Sequence, residues 1–176
     1  LNSRGKIFFG KFDHTEIDFE MLRKKVGFVS QESTIFNGTI RDNLLFKVDD
    51  KSDPAELETR LLSLLSSLNF GDFIESLDYG LNTRVGDNGA KLSGGQRQKI
   101  LLARELMCQP SMLILDEPAS ALDSEAQKAV IDVLRGYQSE MTIIINTHQS
   151  NILEIADTVY RVEDCTVHST DSTVTA

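Results

Sequence analysis

The 176-residue sequence has no Trp, three Pro and only two Cys. Cys108 and Cys165 lie far apart and match no metal-ligand spacing, so neither a disulfide framework nor a cysteine metal centre is expected. So few thiols fit a reducing compartment. Cations are also scarce: 18 Lys and Arg face 27 Asp and Glu, for a net charge of −9. That balance argues against nucleic acid as a partner, because phosphate neutralisation needs clustered Lys and Arg. It leaves room for a local anion site, which bare N–H groups at a helix N-terminus supply without net positive charge. No run of about 18 apolar residues is present, so no membrane-spanning helix is expected. No basic leader precedes an apolar segment, so no signal peptide is expected either. An initiator Met is missing: the sequence starts Leu1-Asn2-Ser3. The edge of a longer chain is the simplest reading, and a processed N-terminus is the alternative.

What is present is ordinary globular composition, 40% hydrophobic and 26% charged. This length suits one domain that buries roughly 70% of its unfolded surface. Lys6 to Phe9 and Val26 to Val29 read as short strands. Ile40, Leu44 and Leu45 start a helical pattern after Thr39, and Lys47 to Pro54 is a charged loop. Ala55 to Leu68 is a Leu-rich helix, and Phe70 to Leu77 a shorter helical piece. Tyr79 to Lys91, rich in Gly, Asn and Asp, reads as loop. Ser93 to Met107 is again helical. Met112–Leu115 and Thr142–Ile145 are apolar strands, separated by an amphipathic helix from Ser124 to Leu134 with the capping-box pattern Ser124…Gln127. Ile152 to Ala156 is a helical turn or two, and Thr158 to Val162 a further strand. The Ser- and Thr-rich tail from His168 is expected to fray. Continuous apolar strands alternating with helices predict a parallel sheet covered on both faces.

Chemistry concentrates at four places. In Leu92-Ser93-Gly94-Gly95-Gln96, Ser93 can cap a helix with Gln96 at its third position. The glycines let an anion approach the first-turn N–H groups; a plain cap with nothing bound is the alternative. Leu113 to Glu117 is an apolar strand ending in two carboxylates that point to different places. One can hold Mg²⁺ through water while the other polarises an attacking water; a pair of solvated acids is the alternative. His148 follows a strand C-terminus, where open parallel sheets bind ligands. Gln31 follows the Val26–Val29 strand in the same way, and Asp123 or Ser124 caps the next helix.

The order of these elements resembles the nucleotide-binding domain of ATP-binding cassette (ABC) proteins over nearly the whole chain. Gln31 looks like the Q-loop glutamine and Leu92–Gln96 like the signature motif. Leu113–Glu117 is similar to the Walker B strand, Ser120–Asp123 to the D-loop, and His148 to the switch histidine. Ile35–Leu44 and Thr83–Gly89 resemble the exporter branch. This chain has Asp87, Pro118 and Gln149 where exporters more often have Glu, Ala and Arg.

The resemblance implies an α/β, P-loop NTPase-like (RecA-like) fold. Its mostly parallel sheet would carry an inserted helical subdomain and be truncated at its N-terminal side. Residues 1–38 would be the remnant of the N-terminal β part with the Q-loop. Residues 39–107 would be the helical subdomain ending in the signature helix. Residues 108–176 would be the α/β core. The cofactors would be ATP and Mg²⁺. Ser93, Gly94, Gly95 and Gln96 would contact ATP held by a partner domain, with Asp123 beside them. Asp116, with Gln31 through water, would hold Mg²⁺. Glu117 would be the general base, and Gln31 and His148 would sense the terminal phosphate and the water.

The family's phosphate-cradling P-loop is not found in this string. Gly5-Lys6-Ile7-Phe8-Phe9-Gly10-Lys11 fits its first seven positions, but Phe12 replaces the Mg²⁺-binding hydroxyl and the intervening residues form a strand. The P-loop would therefore lie upstream of Leu1, and these residues alone would hydrolyse ATP negligibly. The implied partners are a second nucleotide-binding domain, packed head to tail, and a transporter's transmembrane domain. The implied place is the cytoplasmic side of a membrane. A non-transport ABC ATPase is a second reading, weakened because only about 60 residues without sustained heptads separate Gln31 from Ser93. A non-catalytic docking module is a third, opposed by the intact Glu117.

Overall fold

A computed structural model describes residues 5–48, 52–163 and 166–171. The Leu1-Asn2-Ser3 start, Cys165, part of the Lys47–Pro54 loop and residues 172–176 of the tail lie outside the described residues.

Two short strands, β1 (Phe8–Phe9) and β2 (Phe12–Asp13), open the described chain as an antiparallel hairpin. Gly10, at φ +61°, takes the first position of its two-residue turn. The string that imitates a P-loop is thus a hairpin, with no helix directly after Lys11. Helix α1 (Phe19–Lys25) follows, capped by Asp18, whose Oδ1 accepts from the Glu20 amide at 2.8 Å.

Strands β3 (Val26–Val29), β4 (Met112–Asp116) and β5 (Thr142–Asn146) form one parallel sheet in the order β3-β4-β5. Their register aligns Gly27 with Leu113 and Ile143, and Val29 with Leu115 and Ile145. This face is packed: Val29, Leu113 and Leu115 are buried within the main core. The opposite face is open, with Phe28 52% and Ile144 49% exposed. The expectation of a sheet covered on both faces therefore holds for one face only among the described residues. Continuous apolar strands are compatible with burial on either side, so the sequence pattern does not reveal which face is covered.

Between β3 and β4 the chain is helical: α2 (Ile40–Leu45), α3 (Pro54–Ser67), α4 (Gly71–Glu75) and α5 (Gly94–Met107). Helix α5 is the hub, because all of its residues from Lys99 to Met107 are buried. Its Arg104 guanidinium donates to the carbonyl oxygens of Asn43 (2.8 Å) and Thr34 (3.0 Å) and to Asn43 Oδ1 (2.7 Å). Burial lowers the pKa of this guanidinium. Beside it, Glu105 accepts from Lys47 Nζ at 2.7 Å and from the Phe28 amide at 3.3 Å, which ties α5 to the sheet.

After β4 comes α6 (Ser124–Tyr137) and, after β5, the short α7 (Ser150–Leu153). The cap of α6 is Asp123, whose Oδ1 accepts from Ala126 N at 2.9 Å. The Ser124…Gln127 capping box does not form: Gln127 Nε2 instead donates to the carbonyls of Ala119 (3.3 Å) and Leu122 (3.0 Å). Strand β6 (Thr158–Glu163) pairs antiparallel with β7 (Thr166–Asp171) in a separate hairpin. The expectation that the tail frays from His168 therefore fails through Asp171, because residues 166–171 pair with Thr158–Glu163. No helix among the described residues is long and apolar enough to cross a membrane.

Candidate functional site

The parallel register brings the C-terminal ends of β4 and β5 level, with Asp116 opposite Asn146. Asn146 Nδ2 donates to Asp116 Oδ1 at 2.7 Å, leaving the second carboxylate oxygen clear of that bond. The next residue, Glu117, leaves the strand at φ +50°, a left-handed conformation uncommon for a non-glycine residue. Its amide donates to the Asn146 carbonyl at 2.9 Å. This backbone twist turns its carboxylate away from that of Asp116, toward the residues that follow β5.

Three donors meet the Glu117 carboxylate. The His148 amide reaches Oε1 at 3.1 Å, His148 Nδ1 lies 2.7 Å from the same oxygen, and Thr147 Oγ1 reaches Oε2 at 3.3 Å. The Glu117 side chain is 12% exposed, whereas that of His148 is 79% exposed. An ionised carboxylate only accepts hydrogen bonds, so Nδ1 carries the shared hydrogen while Glu117 is charged. Nε2 is then the ring's remaining polar atom.

A cleft of about 200 Å³ lies beside this pair, bordered by Gln31, Gly94, Arg97, Asp116 and Ser120. Gln31 sits in the turn after β3, where the Ser30 amide donates to Ser33 Oγ at 2.9 Å. The start of α5 has the geometry its spacing predicts. Ser93 Oγ accepts from the Gln96 amide at 3.2 Å, and Gln96 Oε1 accepts from the Ser93 amide at 2.8 Å. The Arg97 amide bonds to the Ser93 carbonyl at 3.0 Å. The N–H groups of Gly94 and Gly95 are the first-turn donors outside these bonds. A side chain at Gly95 would place its Cβ 3.1 Å from both Ala121 O and Leu122 Cδ2, so glycine permits the close approach of these two segments.

The structure thus brings Gln31, Gly94 and Asp116 to one cleft, with Glu117 and His148 paired beside it. Ser93 and Gln96 are occupied with each other at the helix cap. Asp123 stands elsewhere: it borders a separate polar cleft of about 430 Å³ with Lys99, Asp72 and Glu125. Burial lowers the pKa of Lys99, whose Nζ donates to the Asn69 carbonyl at 3.0 Å.

The donors at the first cleft suit a hard cation. Magnesium takes oxygen ligands and keeps several waters. The Asp116 carboxylate and the Gln31 amide border the same cleft and supply oxygen donors of the kind such an ion takes. For an anionic group, the fit rests on the Gly94 and Gly95 amides at the start of α5.

Asn146 and Thr147 are partners of the two carboxylates that sequence reading passed over. The signal was available: Leu113–Leu115 and Ile143–Ile145 are matched apolar runs, each ending in polar residues. Aligning them places Asn146 beside Asp116.

A family profile described as ABC transporter matches residues 1–120. The chain is 35% identical over 161 residues to the ATP-dependent lipid A-core flippase 1 of Colwellia psychrerythraea, covering 92% of this chain and 26% of that protein. It is 39% identical over 161 residues to the chloroplastic ABC transporter B family member 29 of Arabidopsis thaliana, covering 92% of this chain and 25% of that one. The ABC multidrug transporter mdr1 of Aspergillus fumigatus is 40% identical over 156 residues, with coverage of 89% and 11%. The chain therefore spans about a quarter or less of the length of these relatives. Among solved structures, a bacterial Atm1-family ABC exporter with ATP bound superposes with a TM-score of 0.81 at 30% identity, over 89% of this chain and 27% of that one.

Proposed function

This chain belongs to the ABC transporter family, with the α/β, P-loop NTPase-like fold of that family, and we propose on this premise that it is the ATP-binding and ATP-hydrolysing part of an exporter. The observation that carries the proposal is the Glu117 carboxylate, held by Thr147 and His148 next to Asp116 at the C-terminal ends of two parallel strands. Ligand chemistry in open α/β sheets sits at this edge.

In this reading Glu117 accepts a proton from the attacking water, and His148 orients that carboxylate and the water. Asp116 and Gln31 hold Mg²⁺, which supplies neutralisation of phosphate charge. Ser93, Gly94, Gly95 and Gln96 face a nucleotide held by a second nucleotide-binding domain; Asp123, at the separate cleft, caps α6 and is not carried into that contact. Residues 1–38, 39–107 and 108–176 act as the Q-loop part, the helical part and the α/β core. The helical part, with Gln31 and Thr83–Gly89, transmits motion to a transmembrane domain from the cytoplasmic side of a membrane. Two bonds support such a rigid element: the Ile40 amide bonds to Thr83 O at 3.1 Å, and Asn37 Nδ2 to Asp87 Oδ1 at 2.7 Å. On the same reading the family's phosphate cradle lies outside these 176 residues, and by themselves they hydrolyse ATP negligibly and bind nucleotide weakly.

The test compares ATP hydrolysis by the natural gene product in lipid vesicles, by its Glu117→Gln variant, and by the 176-residue chain. Activity in the first alone supports the proposal. Full activity in Glu117→Gln refutes the role of the base, and brisk hydrolysis by the short chain refutes its dependence on a separate cradle.

A further inference from the structure

Glu117 adopts φ +50°, so its surroundings must hold the backbone there. Its carbonyl oxygen accepts three bonds: from Gln98 Nε2 at 2.6 Å, Ser120 Oγ at 3.1 Å and the Ser120 amide at 3.3 Å. The Ser120 bonds are local to the turn. The Gln98 bond comes from α5, the helix whose first turn borders the cleft.

Gln98 uses both ends of its side-chain amide. While Nε2 donates to Glu117 O, Oε1 accepts from the Ala121 amide at 3.2 Å. One partner is a carbonyl and the other an N–H, so only one orientation of the amide satisfies both. Gln98 lies one helical turn beyond Gly94. The Gly95 position adds a second point of contact, because Ala121 O approaches closely where a side chain would stand.

We propose that Gln98 is a positioning residue, which clasps the backbone of Glu117 and of Ala121 and so couples the first turns of α5 to the orientation of the Glu117 carboxylate. The proposal rests on the reading of Glu117 as general base. A shift of the α5 N-terminus, where a nucleotide phosphate would press, then moves the carbonyl of the base directly. Ser120 alone could hold the turn without transmitting such a shift.

Two variants separate these possibilities. Gln98→Met keeps length and helix propensity but removes both bonds. Gln98→Glu keeps an acceptor for Ala121 and loses the donor to Glu117. Amide hydrogen exchange is read by mass spectrometry on the natural gene product, in peptides resolving Ala121, with Leu102 in α5 as the folding control. The Ala121 amide should exchange on the order of fivefold faster in Gln98→Met and stay within about twofold in Gln98→Glu, as expected for one neutral hydrogen bond. Unchanged exchange in Gln98→Met, or equal acceleration in both variants, overturns the clasp. In the natural gene product both variants should lower kcat about tenfold with KM for ATP unchanged, since both lose the bond to Glu117. An unchanged kcat overturns the positioning role. Full activity of Glu117→Gln would instead remove the base reading, and the exchange result would stand without it.

Discussion

His148 Nδ1 lies 2.7 Å from Glu117 Oε1, and the amide of the same histidine donates to that oxygen at 3.1 Å. One residue thus grips the carboxylate through both ring and backbone. Replacing the ring leaves the amide bond and the Thr147 hydroxyl in place, whereas replacing the carboxylate removes the base itself. In the natural gene product, Glu117→Gln is expected to lower kcat for ATP hydrolysis by about 10²- to 10⁴-fold, the range of general-base catalysis. His148→Ala should cost less, with nucleotide binding retained in both. Steady-state ATPase rates alongside equilibrium nucleotide binding provide the check.

A second prediction concerns stability. Arg104 is 7% exposed and satisfies acceptors on Asn43 and Thr34 at once. Arg104→Met keeps apolar bulk against Phe36, over whose ring the guanidinium lies at 5.2 Å, but strands the Asn43 and Thr34 carbonyls. Leaving buried neutral acceptors without their donor costs about 1–3 kcal/mol. The urea midpoint of Arg104→Met should fall accordingly. An unshifted midpoint would mean that water replaces the guanidinium without loss.

Local signals made much of this arrangement legible. The Ser93–Gln96 spacing specifies a reciprocal cap, and that cap forms. The apolar runs Leu113–Leu115 and Ile143–Ile145 specify adjacent parallel strands, and their polar ends mark the site. Other features depend on tertiary context. The left-handed backbone of Glu117 is held partly by the local Ser120 bonds and partly by Gln98 on α5 and Asn146 on β5, which no window of sequence around it contains. Asp123, not Ser124, caps α6, because both residue types cap well and Gln127 finds better acceptors at Ala119 and Leu122. Helix α1 carries no such local signal: Phe19, Met21 and Leu22 set no clean helical period and none of its residues is buried.

Acid should loosen the helical part first. The Thr39 amide donates to Asp42 Oδ2 at 2.8 Å and holds that carboxyl below its ordinary value of 3.8. The Arg41 guanidinium bonded to Glu58 does the same from 4.5. A depressed carboxylate contributes stability that is fully present above its unfolded pKa and is lost as pH falls through the folded value. Stability is therefore expected to be flat on this account near neutrality and to decline once pH drops below about 4. The double variant Asp42→Asn, Glu58→Gln should be less stable at pH 7 yet show a shallower decline below pH 4. Denaturant unfolding across a pH series measures both limbs, and parallel curves would exclude these two groups as the cause.

The open sheet face carries the last prediction. Phe28, Ile114 and Ile144 align across β3, β4 and β5, and the outer two are about half exposed. Apolar side chains contiguous on a flat face seek cover. The 176-residue chain in solution is expected to self-associate at micromolar concentration and to enhance the fluorescence of an apolar dye. Thr retains the β-branched shape that strands favour while removing most of the apolar area. Phe28→Thr combined with Ile144→Thr should therefore shift sedimentation toward the monomer and reduce dye binding, with the Val29–Leu115–Ile145 side untouched. Equal association in the parent and the double variant would assign the contact to another surface, such as the exposed Tyr160 and Val162 of the β6-β7 hairpin. Tyr160→Thr would then be the variant that restores the monomer.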